Sequence, residues 1–163
     1  MKKPVQVAGH ALEVGQQAPM VKLINPELKP IQLGGDQDKV QVIATVVSLN
    51  TPVCDAEAIR LNKIAQRYPE VQVTIVSKDL PFEDAKFKKQ NRLNSVEFAS
   101  DYRSNDFGKL YGTSIESSVL QGLDSRTIYV IDKNGKVSYR EVVEEISTPP
   151  SYQALEQAIQ HTI

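Results

Sequence analysis

The chain has 163 residues, 40% of them hydrophobic, which predicts one domain over residues 1–163 that folds without a metal or disulfide. Its 19 basic and 20 acidic side chains give a net charge of −1, which argues against a nucleic-acid-binding protein. One cysteine excludes an internal disulfide. Since no apolar segment is long enough for a signal peptide or a membrane span, we expect a cytoplasmic protein.

Predicted strands and helices alternate from the start of the chain. Residues 5–14 alternate apolar and polar side chains about a Gly-His turn, which predicts an N-terminal β-hairpin. The apolar run over residues 40–47 predicts a strand buried on both faces. A helix follows from about Pro52 to Tyr68, because Thr51 suits the N-cap and Pro52 the first helical position.

The second half of the chain continues the alternation and ends in a hairpin. An Asn-Gly turn at residues 134–135 separates the last two predicted strands. This order predicts an α/β protein with a mixed central sheet flanked by helices, which is typical of the thioredoxin-like fold. The predicted strands cover residues 71–76, 96–99, 127–131 and 137–142, and the predicted helices about 82–91, 106–111 and 151–160.

Cys54 is the candidate reactive residue, at the third position of the helix that follows the buried strand. Unpaired amides and the helix dipole at such a position favour a thiolate, the reactive form of cysteine. The neighbouring Asp55 opposes ionisation by its charge. Cys54 also shares an apolar helix face with Ala58 and Leu61, where cysteine is usually a small core residue. The residue pattern by itself leaves both interpretations open.

Other site chemistry has little support in the sequence. His10 and His161 lie in segments expected to be exposed, each without a second soft ligand nearby, so we predict no metal site. Glu57 stands where a Cys-x-x-Cys motif would have its second cysteine, which excludes a standard disulfide oxidoreductase. Residues 33–36 lack the lysine of a phosphate loop, and we predict no cofactor.

Residues 48–54, Ser-Leu-Asn-Thr-Pro-Val-Cys, resemble the active-site segment of bacterial thiol peroxidases, a branch of the peroxiredoxins. The motif of that family is Pro-x-x-x-Thr-x-x-Cys, and Thr51 and Cys54 stand at its last two named positions. The resemblance covers nearly the whole chain in order. Further similar segments are residues 78–82, 110–112, 121–126 and 144–149.

The resemblance implies a peroxidase that reduces hydrogen peroxide and alkyl hydroperoxides, and a homodimer. Cys54 would be the thiolate that attacks the peroxide and becomes a sulfenic acid. Thr51 would hydrogen-bond the sulfur and the peroxide, and Arg126 would stabilise the thiolate and the leaving oxygen. Without the resemblance, Thr51 would be interpreted as a helix cap and Arg126 as a surface ion-pair partner.

Two positions depart from the family pattern. Val47 replaces the proline of the motif, and Lys88 stands where these peroxidases usually carry a resolving cysteine. We therefore expect the sulfenic acid to be reduced by an external thiol, such as thioredoxin, glutathione or a small thiol. The alternative is a protein that has lost turnover and acts as a redox sensor or interaction protein.

Overall fold

The computed structural model describes residues 12–49, 51–115, 123–143 and 148–163. The strands are β1 (Val21–Ile24), β2 (Pro30–Leu33), β3 (Gln41–Thr45), β4 (Gln72–Ser77), β5 (Glu97–Ser100), β6 (Arg126–Ile131) and β7 (Val137–Val143). The helices are α1 (Pro52–Arg67), α2 (Pro81–Gln90), α3 (Asp106–Tyr111) and α4 (Tyr152–Thr162). None of these helices is long and apolar enough to cross a bilayer.

The strands form one mixed sheet in the order β2-β1-β5-β4-β3-β6-β7. Parallel pairing joins β3 to β4 and β4 to β5, and the other neighbouring strands pair antiparallel. The predicted mixed sheet with flanking helices is confirmed. All five residues of β3 are buried, as expected for an interior strand that is covered on both faces.

Most of the predicted hairpin over residues 5–14 falls outside the described part of the chain. Residues 1–11 lie outside the described residues, and residues 12–14 form no strand but lead into a turn at Gly15, whose φ is 95°. The first hairpin of the described sheet is β1–β2. Its turn forms because the side-chain oxygen of Asn25 accepts hydrogen bonds from two backbone amides, those of Glu27 and Lys29.

The two faces of the sheet carry separate apolar cores. Because side chains alternate along a strand, Val42 and Ala44 of β3 face one side and Ile43 faces the other. Helices α1, α2 and α4 contribute to the first core, and α3 contributes to the second. The loop from β3 to α1 therefore starts at the centre of a sheet that is packed on both sides.

Helix α1 carries the cysteine on its buried side. It begins at Pro52, whose ring suits a first helical turn, and ends at Arg67, immediately before Tyr68 and Pro69. Its buried residues share the face that packs on the sheet. They are Cys54, Glu57, Ala58, Leu61, Asn62, Ile64 and Ala65.

Candidate active site

The sheet brings Arg126 to the first turn of α1. Strand β6 begins at Arg126 and pairs antiparallel with β3, so that Thr127 lies opposite Thr45, the last residue of β3, and Arg126 lies one position beyond it. The Thr45 hydroxyl donates to the Ser125 carbonyl oxygen at 2.5 Å and accepts from the Thr127 amide at 3.0 Å, which fixes this register. Arg126 then points to the same face as Ile128, two residues on, which is the face covered by α1.

The Arg126 guanidinium contacts both Cys54 and Glu57. Its Nη1 donates to the Cys54 Sγ at 3.3 Å and to the Glu57 Oε1 at 2.7 Å. Cys54 and Glu57 are each 0% exposed and Arg126 is 1% exposed. The predicted proximity of Arg126 to Cys54 is therefore present, and the arginine is a buried residue rather than a surface ion-pair partner.

Burial and charge act in opposite directions on these groups. Burial by itself lowers the pKa of the Arg126 guanidinium, but the charges of Cys54 and Glu57 outweigh it, so that its pKa lies above the ordinary value. Burial raises the pKa of Glu57 to about 7 against the attraction of Arg126. The site therefore keeps a permanent cation beside the sulfur and a carboxyl group that changes charge near neutral pH.

Thr51 stands at the N-cap position of α1 with an extended backbone, φ −118° and ψ 146°. Its hydroxyl donates to the Ser48 carbonyl oxygen at 3.0 Å and makes no hydrogen bond to the helix amides. The interpretation of its side chain as a helix cap is therefore wrong. The carbonyl uses the hydroxyl proton, and the oxygen lone pairs remain able to accept a hydrogen bond.

The two departures from the family motif have different surroundings. Val47 is buried in the same apolar core as Cys54, and Lys88 is half-buried in the last turn of α2.

His161 is exposed near the end of α4, and His10 lies outside the described residues. No cluster of histidine, cysteine or carboxylate side chains suited to a metal ion occurs in the described ranges. Residues 121–122 and 144–147 of the similar segments also lie outside those ranges.

Glu57 is the site residue that sequence reasoning missed. It was considered only as the residue that replaces a second cysteine, although it lies three positions after Cys54 on the same helix face. An acidic residue within the apolar stripe of a helix was the available signal, because a buried carboxylate requires a partner. The structure shows that this partner is Arg126.

An apolar groove of about 640 Å³ runs beside the start of α1. Pro52 and Val53, the two residues before Cys54, lie along it, and Arg60 and Lys63 contribute charged ends. The Arg60 guanidinium lies 5.2 Å from the centre of the Tyr152 ring. The groove therefore offers an apolar surface next to the turn that holds the sulfur.

Comparisons with known proteins identify the family of this chain. The Redoxin family model matches residues 13–157. The chain is 42% identical over 149 residues to a thiol peroxidase of Aquifex aeolicus, covering 91% of this chain and 88% of that protein. It is 40% identical over 153 residues to a thiol peroxidase of Campylobacter jejuni, covering 94% and 86%.

Solved structures extend the likeness to three dimensions. The crystal structure of a peroxiredoxin-like protein from Aquifex aeolicus has a TM-score of 0.94 and 39% identity, covering 98% of this chain and 92% of that chain. A thiol peroxidase structure from Chromobacterium violaceum has a TM-score of 0.85 at 21% identity, which shows the shared thioredoxin-like fold. The chain therefore belongs to the Redoxin family, within the thiol peroxidase branch of the peroxiredoxins.

Proposed function

We propose that this protein is a thiol-dependent peroxidase in which Cys54 is the reacting sulfur and Arg126 and Thr51 assist it. The observation that carries the proposal is the buried Arg126 Nη1, 3.3 Å from the Cys54 Sγ. A fixed cation beside a sulfur favours the thiolate and the negative charge that develops when the peroxide bond breaks.

In the first step the Cys54 thiolate attacks one peroxide oxygen. A sulfur–oxygen bond forms, the oxygen–oxygen bond breaks, and the sulfur is oxidised by two electrons to a sulfenic acid. The leaving oxygen takes a proton and departs as water or an alcohol. Arg126 stabilises the charge on that oxygen, and the Thr51 oxygen accepts a hydrogen bond from the peroxide while its own hydroxyl proton is donated to the Ser48 carbonyl oxygen.

The second step needs an external thiol, because Cys54 is the only cysteine in the sequence. A thiolate attacks the sulfenic sulfur and releases water, and a second thiol then breaks the mixed disulfide and restores Cys54. Thioredoxin, glutathione or a small thiol would serve as this reductant. We also propose a cytoplasmic location and a homodimer, on the strength of the family relationship.

Alkyl hydroperoxides are the favoured substrates in this proposal. The groove beside the start of α1 is lined mainly by apolar side chains, including Val53, Ala56 and Ile59. Burying an alkyl group against such a surface contributes roughly 25 cal/mol for each Å² removed from water. Hydrogen peroxide has no apolar part and gains nothing from the groove.

The test is the rate of Cys54 oxidation, measured by thiol loss and by dimedone trapping of the sulfenic acid. Wild type should lose one thiol per chain rapidly, and faster with an alkyl hydroperoxide than with hydrogen peroxide. Arg126→Met and Thr51→Val should each slow oxidation by about a hundredfold or more. Cys54→Ser should abolish peroxide consumption with every reductant.

Matched substitutions separate a site effect from a general one. Arg67→Met removes an exposed arginine from the same helix that carries Cys54, and Thr74→Val removes the hydroxyl of a buried threonine in β4. Both should oxidise at the wild-type rate. A wild-type thiol that survives minutes in excess peroxide would refute the peroxidase proposal.

A further inference from the structure

The carboxylate of Asp79 accepts hydrogen bonds from the loop between β3 and α1, which leads to Thr51 and Cys54. Asp79 lies two residues after β4, and its Oδ1 accepts from the Ser48 hydroxyl at 3.1 Å. Its Oδ2 accepts from the Leu49 amide at 2.9 Å and from the Ser77 hydroxyl at 2.9 Å. One side chain therefore joins the loop after β3 to the end of the neighbouring strand.

The backbone of Asp79 is fixed as well. Its amide donates to the Ser77 Oγ at 3.1 Å, and its carbonyl oxygen accepts from the Ser100 hydroxyl at the end of β5. Asp79 is thus attached through its side chain and backbone to the ends of two parallel strands. Such an anchor is rigid, because strands β4 and β5 lie inside the sheet.

The anchored loop leads directly to the site. Ser48 is bonded to Asp79 through its hydroxyl, and its carbonyl oxygen accepts the Thr51 hydroxyl at 3.0 Å. The Thr51 carbonyl oxygen in turn accepts from the Asp55 amide at 2.9 Å, which closes the first turn of α1 around Cys54. A continuous series of hydrogen bonds therefore runs from Asp79 to the turn that holds the sulfur.

We propose that Asp79 is a positioning residue of the peroxidase site, whose carboxylate sets the place of the Thr51 hydroxyl relative to the Cys54 sulfur. It acts through Ser48 and Leu49. A displacement of about 1 Å at a reacting group costs on the order of a hundredfold in rate. Loss of this anchor should therefore slow the oxidation of Cys54. The inference rests on the proposed function.

The substitution that tests it is Asp79→Asn. An asparagine keeps one acceptor oxygen, but its amide nitrogen donates and cannot accept from the Leu49 amide or the Ser77 hydroxyl. We expect Cys54 oxidation by peroxide to slow by about tenfold to a hundredfold.

The decisive measurement is a double-mutant cycle between Asp79→Asn and Thr51→Val. If Asp79 acts by placing Thr51, its substitution should slow oxidation strongly in the wild-type background and by less than about twofold once Thr51 is valine. Effects that multiply independently in the double variant would overturn the proposal, since a general loss of stability acts equally in both backgrounds.

Asp101→Asn is the matched control. Asp101 also follows a strand of the sheet and also accepts two backbone amides, those of Phe107 at 3.3 Å and Gly108 at 3.0 Å, but these belong to α3. Thermal unfolding should show both asparagine variants to be destabilised, while only Asp79→Asn slows oxidation. Equal slowing in the two variants would also overturn the proposal.

Ser48→Ala carries the test if Asp79→Asn does not fold. It removes the Oγ donor to Asp79 and keeps the carbonyl that Thr51 uses, so we expect slowing of about threefold to tenfold that vanishes in the Thr51→Val background. An unchanged rate would contradict the proposal. An unreactive wild-type thiol is a separate result, because it refutes the peroxidase function itself.

Discussion

At the scale of single residues, the site depends on how one guanidinium nitrogen is shared. Arg126 Nη1 donates to the Cys54 sulfur and to the Glu57 carboxylate, both fully buried. A lone buried cation would be costly, and Glu57 offsets most of that cost. Glu57 therefore makes it possible to keep a charged arginine beside the sulfur inside the protein.

This sharing leads to a prediction about stability. Glu57→Leu removes the carboxylate and leaves the buried cation without its ion-pair partner, which should lower the free energy of unfolding by about 3 kcal/mol. Arg126→Met should cost a similar amount, because it leaves a buried carboxylate without its cation. Urea unfolding at pH 8, above the Glu57 pKa of about 7, measures both values.

The double variant Glu57→Leu with Arg126→Met provides the control. With neither charge present, its stability should return to within about 1 kcal/mol of wild type, while Cys54 oxidation stays as slow as in Arg126→Met alone. A double variant as unstable as the sum of the single ones would show that the two charges are not coupled.

The residue-scale predictions from sequence succeeded where the information was local. The place of Cys54 at the third position of a helix follows from Thr51 and Pro52 and is confirmed. The contact with Arg126 joins residues 72 positions apart, and it came from the family resemblance because no local pattern encodes it. The Glu57 ion pair has the same long-range origin and was missed.

At the scale of elements, α2 contains a carboxyl group that the fold does not pair. Asp84 in its first turn is 1% exposed, and neither of its carboxyl oxygens has a hydrogen-bond partner in the described part of the chain. Burial, with the charges of Asp79 and Glu83, raises the pKa of Asp84 to about 8. The group is therefore neutral inside the folded protein at pH 7.

The consequence is a loss of stability as the pH rises. The folded-state pKa of about 8 lies above the ordinary value of 3.8, so folding favours the protonated form. Its contribution is complete below pH 4 and is lost progressively as the pH approaches 8. Asp84→Asn mimics the neutral acid and should be more stable than wild type by about 2 kcal/mol at pH 9, with little difference at pH 4.

Thermal unfolding of both proteins from pH 4 to pH 9 checks this expectation. Asp106→Asn is a suitable control, because it also removes an acid from the first turn of a helix, at an exposed position in α3. The expectation requires that the difference between Asp84→Asn and wild type grow with pH by more than the difference for this control. A constant difference for Asp84→Asn would show that Asp84 is ionised in the folded protein.

Strands and helices were predictable because their apolar patterns are strong. The apolar run over residues 40–47 contains β3, and the Asn-Gly turn lies in the loop between β6 and β7, where Gly135 has a φ of 85°. The β1–β2 hairpin was not among the predicted elements. Its turn depends on the Asn25 side chain.

At the scale of the whole molecule, one cysteine determines the form of the catalytic cycle. Because Cys54 has no partner thiol in the sequence, each turnover must pass through a sulfenic acid that waits for an external reductant. The prediction that residues 1–163 form one domain rests on length and stays a prediction. A single cooperative unfolding transition is the result we expect for it.

The same sulfur has no solvent exposure, although a reductant much larger than a peroxide must touch it. We therefore expect the opening turn of α1 to unwind after oxidation and before recycling. Stiffening that turn should then affect the two half-reactions differently. Val53→Ala, which favours the helix, should leave oxidation by hydrogen peroxide, which gains nothing from the groove, nearly unchanged and slow reduction of the sulfenic acid by about threefold.

Stopped-flow measurement of each half-reaction, with dithiothreitol as the reductant, tests this difference, and equal rates in both proteins would show that no unwinding is needed. On this expectation, the burial of the sulfur links the rate of sulfenic acid reduction to the opening of the first turn of α1. We expect the lifetime of the oxidised form to depend on how often the first turn of α1 opens.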